Sequence, residues 1–352
     1  MKSLQVLNRP TLPPPSPAGW FVVAISEELK KGQVLTRRIV GQDLVLFRTE
    51  SGQVSAMDPY CPHLGAHLGH GGTVQGETIR CPFHAFCFDT EGTCVSTPYG
   101  TKPPPRARAR VWPLQEKNGV IMVFHDPSGA MPSWDVPTLD MNGWTPLQWT
   151  RWNIRGHPQE TSENSVDLGH FIVVHGYEAV KFHGASISGS HFNTKVDFQR
   201  PRGFVNGKST LQAEIDVHVH GLGYSYVDVW LPKLKLATRQ FVMSTPTDSE
   251  HIDLQIAMSI RDDFKPSAFH PLLALLPRAL VRQILMRASF WGFKEDVKQD
   301  FAMWTNKAYV TPPALAEGDG PVGKYRLWAK QFYPDAHPVD RAPVPAVVES
   351  AA

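Results

Sequence analysis

The stretch Cys61-Pro62-His63-Leu64-Gly65-Ala66 and its partner Cys81-Pro82-Phe83-His84 decide how this chain is read. Seventeen residues separate His63 from Cys81, so the two Cys-His pairs sit on separate loops that can clamp one small iron–sulfur cluster. The metal deprotonates each thiol, the two thiolates serve one iron and the two imidazoles the other. Exchanging two thiolates for neutral imidazoles removes negative charge and makes the cluster easier to reduce. A zinc knuckle also takes two Cys and two His, but C-x-H is an awkward zinc spacing. Gly65, Gly69, Gly71 and Gly72 supply turns where the chain passes close to the cluster, and Pro62 and Pro82 stiffen the ligand loops. His67 and His70 read as loop-surface residues rather than further ligands.

The two boxes resemble C-P-H-x-G-A and C-P-F-H of the Rieske family. That resemblance implies a [2Fe–2S] cluster with Cys61 and Cys81 on one iron and His63 and His84 on the other. Respiratory members carry two further cysteines, where this chain has Ala66 and Phe83. By that resemblance the cluster looks like the lower-potential oxygenase or ferredoxin kind. All four cysteines, including Cys87 and Cys94, crowd into one short stretch, which suits a metal site better than a disulfide scaffold. Cys87 and Cys94 read as small buried apolar residues.

Outward from these boxes the chain is an α+β protein of two domains, as 352 residues allow. Residues 19–126 form an all-β domain: Trp20–Ile25, Leu35–Val40, Leu44–Arg48 and Gly119–His125 are apolar runs between Gly and Asp turns. Residues 1–18 read as a flexible arm and 127–144, punctuated by Pro127, Gly129, Pro132 and Pro137, as a linker. The second domain covers 145–332. It opens with a strand and a helix-like stretch from Glu160 to His175, then enters a long β region. There Leu211, Ala213, Ile215, Val217 and Val219 alternate with polar residues, the period of a sheet with one buried face. His218 and His220, two apart on a strand, could serve as a metal pair, but they fall on the polar face and read as solvated. A helical region runs from Ser267 to about Tyr309, and 333–352 reads as a disordered tail.

A bare ferredoxin would end near residue 126. The extension instead carries Glu163-Asn164-Ser165-Val166-Asp167-Leu168-Gly169-His170, with His175 five residues on. Asp167 and His170 share a helix face. His170 and His175 lie roughly 140° apart on an ideal helix, so they meet at one metal only where the helix loosens, which Gly169 and Ile172–Val174 favour. Two histidines and a carboxylate on one side of Fe(II) leave positions open for O2 and substrate; the bland alternative is a helix with incidental histidines. The missing carboxylate falls on the late helix. Phe293, Val297, Phe301, Trp304 and Ala308 mark its apolar face, and Asp300 lies nearest that arc, Asp296 at its margin and Glu295 away from it.

The N-x-x-D-x-x-H-x4-H box is similar to that of Rieske oxygenase catalytic domains, which implies a helix-grip-like domain with an antiparallel sheet. It implies His170 and His175 as iron ligands and Asp167 as the bridge from His170 to a Rieske histidine, His84 of a neighbouring subunit, hence a homotrimer. Asn164 would lie close to the iron without binding it. Asp300-x-x-x-Trp304-x-x-Lys307 resembles the carboxylate box of ketosteroid 9α-hydroxylases and sterol C7-desaturases. With Gly156-His157-Pro158-Gln159-Glu160 it points to a terminal monooxygenase that hydroxylates or desaturates a bulky hydrophobic molecule. The electrons would come from NAD(P)H through a ferredoxin or flavin reductase. The apolar segments Leu272–Leu276, Val281–Met286 and Phe290–Trp291 are expected to line its pocket. N-oxygenation of an arylamine is the alternative chemistry, and a cluster-only electron carrier the alternative class. A net charge of +2 argues against nucleic acid as a partner. Phe269–Leu285 is interrupted by Pro271, Pro277, Arg278 and Arg282, too broken to span a bilayer. With no apolar leader at its start, the chain reads as cytoplasmic.

Overall fold

The computed structural model describes residues 12–201, 210–334 and 348–350. The chain divides into two compact units. One comprises Ala18–Asp140 and Thr245–Ser249; the other comprises Met1–Pro17, Met141–Ser244 and Glu250–Ala352.

The first unit holds strands β1 (Gly19–Ile25), β2 (Val34–Ile39), β3 (Gln42–Arg48), β4 (Val54–Met57), β5 (Thr73–Gln75), β6 (Thr78–Arg80), β7 (Cys87–Phe88), β8 (Cys94–Ser96), β9 (Leu114–Lys117) and β10 (Val120–His125). They make three small antiparallel sheets, ordered β1-β10-β9, β2-β3-β4 and β5-β6-β7-β8. β3 explains why Leu44–Phe47 is a continuous apolar run. Because side chains alternate across a strand, Val45 and Phe47 pack with Cys61, Cys81, Phe86 and Phe88. Leu44 and Leu46 pack with Phe21, Val23, Trp112 and Ile121 on the other side. One strand walls two cores, so it has no polar face.

β9 and β10 join through Asn118-Gly119, both at positive φ (56° and 81°), the type I′ hairpin that this dipeptide favours. Asn118 also holds the following segment: its Nδ2 donates to Pro137 O at 2.9 Å and its Oδ1 accepts from Leu139 N at 2.8 Å. Trp20 Nε1 donates to Trp134 O at 2.8 Å, and Val136 is fully buried. The stretch expected to be a linker is thus strapped onto the β unit up to Asp140.

The second unit contains β11 (Gln148–Arg155), α1 (Pro158–Glu163), α2 (Leu168–Val173), β12 (Glu178–Ser188), β13 (His191–Pro201), β14 (Thr210–His220), β15 (Tyr224–Leu231), β16 (Leu236–Pro246), β17 (His251–Ile260), α3 (Arg278–Gln299), α4 (Phe301–Asn306), α5 (Val322–Ala329) and β18 (Val348–Ser350). Its eight-stranded sheet runs β11-β17-β16-β15-β14-β13-β12-β18. α3 packs Val281, Leu285, Phe290, Phe293 and Val297 onto Ile252, Leu254, Ile256 and Met258 of β17. α2 covers Val196, Phe198 and Ala213 with Phe171.

Several expectations change here. Val281, Leu285, Met286 and Phe290 are core residues packed against β17, while Leu272, Leu275 and Trp291 are exposed, so the segments expected to line the pocket divide between core and surface. Residues 1–11 of the expected arm lie outside the described residues. Its last part is packed down, with Pro13 and Pro17 buried. Of the expected tail beyond Pro334 only Val348–Ser350 lies within the described residues, and it pairs with β12.

Candidate metal centres

The two ligand loops are built alike. Cys61 N donates to Ala66 O at 2.8 Å and Gly65 N to Cys61 O at 2.9 Å; Cys81 N donates to Phe86 O at 2.8 Å and Ala85 N to Cys81 O at 3.1 Å. Both loops turn through a positive φ at the fifth residue, 76° at Gly65 and 58° at Ala85. All four cysteines are buried and free. Burial pushes the Cys61 thiol up to about 11, and Cys81 beside it adds to the rise; thiolates there need a cation to compensate them.

The rings of His63 and His84 meet edge to face at 4.7 Å, and His63 stacks on Phe86 at 4.3 Å. His63 Nδ1 is buried without a hydrogen-bond partner, an orphaned nitrogen that a metal would satisfy. Cys61, Cys81, His63 and His84 are not among the groups, within the described residues, whose ligand atoms all approach within 4.8 Å of one another. They do not converge on one point as a tetrahedral zinc site requires, and they fit a two-iron cluster. His67 is engaged otherwise: its Nδ1 accepts from Gly69 N at 3.1 Å and its Nε2 lies 3.7 Å from Asp43. Cys87 and Cys94 are buried in β7 and β8.

The single helix expected over Glu160–His175 is two short helices, α1 and α2, separated at Asn164–Asp167. Asp167 caps α2, its Oδ1 accepting from His170 N at 2.9 Å. α2 stops before His175, and Tyr177 N reaches back to Phe171 O at 3.0 Å. This ending frees His175 from helical geometry and brings its ring to 4.4 Å from that of His170. On the other side, α3 ends and α4 begins at Asp300, whose carbonyl accepts from Trp304 N. The carboxylate of Asp300 is turned inward, its residue only 4% exposed.

His170, His175 and Asp300 therefore converge, with one ligand atom from each lying within 4.8 Å of the others. His170 Nε2 is 2.6 Å from Asp300 Oδ1 and His175 Nε2 is 3.9 Å from Asp300 Oδ2. Asn164 Nδ2 is 3.3 Å from His170 Nε2. Burial lowers the pKa of His175, with His170 reinforcing it and the Gln299 hydrogen bond and Asp300 opposing, a shift in the direction of the neutral imidazole that a metal needs. A buried carboxylate facing two imidazoles fits a divalent iron.

Asp296 and Glu295 are used elsewhere: Asp296 accepts from Arg200 Nη2 at 2.7 Å and from Tyr177 OH at 3.2 Å, and Glu295 pairs with Lys298. Asp167 does not hydrogen-bond the His170 ring in this structure, and His170 Nδ1 is buried without a partner. Sequence reasoning missed Gln299, whose Oε1 is 2.9 Å from His175 Nδ1. An imidazole N–H donated there leaves Nε2 to the metal. No periodicity marks Gln299, because it stands at the break between two helices. The two motif segments do meet: Lys307 ion-pairs with the buried Glu160, and Arg326 forks onto Glu163 at 2.6 and 2.8 Å.

Comparison with known proteins gives the family. Residues 19–113 match the Rieske [2Fe-2S] domain, and residues 123–333 match the 3-ketosteroid 9α-hydroxylase C-terminal domain. The cholesterol 7-desaturase nvd of Bombyx mori is 32% identical over 92% of this chain and 70% of its own length. A probable 3-ketosteroid-9-alpha-monooxygenase oxygenase component of Rhodococcus rhodochrous is 30% identical over 91% of this chain and 81% of its own. Among solved structures, Pseudomonas putida CBB5 NdmA with caffeine shares the fold with a TM-score of 0.72 at 17% identity, covering 95% of this chain and 96% of its own. Dicamba monooxygenase bound to dicamba does so with a TM-score of 0.61 at 19% identity, covering 89% and 96%.

Fold and site define an oxidoreductase of the Rieske-type monooxygenase class, an oxygenase component with a [2Fe–2S] cluster and a mononuclear iron. Within that class, the chain belongs to the 3-ketosteroid 9α-hydroxylase family. It uses O2, takes electrons from a reductase or ferredoxin partner and acts on a hydrophobic substrate. No described helix is long and apolar enough to cross a membrane.

Proposed function

We propose that this oxygenase hydroxylates or desaturates a steroid. The observation that carries the catalytic part is the buried convergence of His170, His175 and Asp300. The steroid part rests on the relatives, which include both ketosteroid monooxygenases and cholesterol desaturases.

In this reading Cys61 and Cys81 hold one iron of the cluster, His63 and His84 the other, and His170, His175 and Asp300 the mononuclear iron. When bound, these groups supply single-electron transfer and the reduction of O2. The chain's own residues set the conditions. Asp300 offsets the cation's charge, Gln299 fixes the tautomer and orientation of His175, and Asn164 can donate a hydrogen bond beside His170. Asp167 serves as the bridge to a Rieske histidine: its Oδ1 is committed to the α2 N-terminus, while His170 Nδ1 still lacks an acceptor.

A homotrimer supplies that histidine from a neighbouring subunit. Tyr60, Leu64 and Phe83, exposed around the cluster loops, suit a surface covered in an assembly.

The test is a single-turnover assay with reduced, iron-replete enzyme, O2, cholesterol, a 3-ketosteroid and an arylamine, read by mass spectrometry. A steroid that gains one oxygen or loses two hydrogens is the expected result. Oxygen gained by the amine alone would discard the steroid reading.

A further inference from the structure

On the opposite face of β13 and β14 from the residues that pack under α2, three histidines meet. His191 is the direct cross-strand partner of His220, and Asn193 that of His218. The expectation of a solvated pair fails here, because His220 is 7% exposed and the His218 side chain 20%.

The nitrogens lie close enough to share one ion. His218 Nε2 lies 3.2 Å from Asp216 Oδ1, so its N–H can be donated there, and its Nδ1 is left to accept from His191 Nε2 at 3.1 Å and Asn193 Nδ2 at 3.4 Å, contacts that a metal would replace. Two nitrogens on one zinc at ~2.0–2.1 Å stand roughly 3.3 Å apart in a tetrahedral site. His220 Nε2 is buried and has no hydrogen-bond partner. One ligand atom from each of the three lies within 4.8 Å of the others. A carboxylate orienting a ligand histidine through its outer nitrogen is the support that metal-bound imidazoles usually have.

The surroundings favour neutral imidazoles. Burial, helped by the other histidines of the cluster, lowers His191 to about 4 and His220 to about 3. Asp216, beside His218, also pairs with Lys195 at 3.3 Å. Tyr226 stacks on His218 at 4.5 Å. His191 and His220 stack at 4.3 Å with planes 4° apart. Coordination has to turn one ring out of that stack, because one ion cannot lie in the planes of two parallel rings.

We propose that His191, His218 and His220 form a second metal site, separate from the iron triad, that takes a borderline divalent ion such as Zn2+ with Asp216 orienting His218. Three imidazoles suit zinc, copper or nickel, and occupancy would clip β13 to β14.

The test is to equilibrate the iron-replete enzyme with Zn2+ and measure zinc and iron per chain, for the natural protein and for His191→Gln and His218→Gln. One zinc per chain is expected with iron and cluster absorbance unchanged, and its affinity should fall about tenfold or more in each variant. Zinc K-edge absorption of the natural protein, showing three imidazoles on the metal, decides the matter even if a variant does not fold. Zinc that enters only as iron leaves, zinc retained equally by both variants, or no uptake would each overturn the proposal.

Discussion

Gly65 and Ala85 occupy equivalent positions in the two ligand loops: each has a positive φ, 76° and 58°, and each donates its N–H to the carbonyl of the cysteine four residues before it. The left-handed conformation is free for glycine and costs an L-residue roughly 1–2 kcal/mol. A Cβ at Gly65 would meet nothing within 4 Å, so the backbone cost acts alone there. Gly65→Ala should destabilise the domain by about 1 kcal/mol, whereas Ala85→Gly should be neutral or stabilise it by a similar amount. Denaturant unfolding followed by cluster absorbance measures both. Equal losses in the two variants would refute the equivalence.

Asp167 has a capping role that must be separated from its proposed bridging role. Asp167→Asn keeps an oxygen for His170 N–H and should leave stability within about 0.5 kcal/mol, since Asn caps as well as Asp. It removes the carboxylate, so turnover should collapse with both metal centres filled. A metal-replete Asn variant with full activity would end the electron-bridge reading.

Gln299 holds the outer nitrogen of His175 at 2.9 Å. Gln299→Leu should weaken mononuclear iron binding by about 10- to 100-fold while leaving the cluster spectrum intact, and Gln299→Glu should restore an acceptor. Iron retained after a chelator challenge is the readout. Unchanged retention in the Leu variant would remove Gln299 from the site.

Glu160 has a side chain only 2% exposed and is paired with Lys307. Burial raises its pKa despite that cation. Lys307→Met strands the charge and should cost about 3 kcal/mol, and adding Glu160→Gln should recover part of the loss. A double variant no more stable than the single one would show that the pair does not couple.

His157 is buried, its Nδ1 accepting from Gln159 N at 3.1 Å and its Nε2 3.0 Å from Pro14 O. Burial lowers its pKa to about 4. Between pH 6.5 and 4 the unfolded chain binds a proton here that the folded one does not, so stability falls as pH falls through that window. A folded-state value near 4 corresponds to a loss of roughly 3 kcal/mol by pH 4. His157→Asn keeps a helix-capping acceptor and should flatten the acid limb of the stability profile. An identical slope in the variant would assign the acid sensitivity to other groups.

What the sequence by itself determined are the features written in short range: the Cys-His boxes, the Asp167-to-His175 spacing and the β-branched runs. Asp300 was also separable from Glu295 and Asp296, because helical periodicity places only one of them towards the core. Only the tertiary structure decided what depends on distant partners. Gln299 meets His175 through a helix break that no periodicity announces, and Lys307 finds Glu160 across 147 positions of chain. The apolar segments of α3 became core because β17 supplies an apolar face opposite them. His218 and His220 share the polar phase of β14, yet His191 and Tyr226 on adjacent strands cover them. Alternation assigns a residue to a face of the sheet; the neighbouring strands decide whether that face is wet.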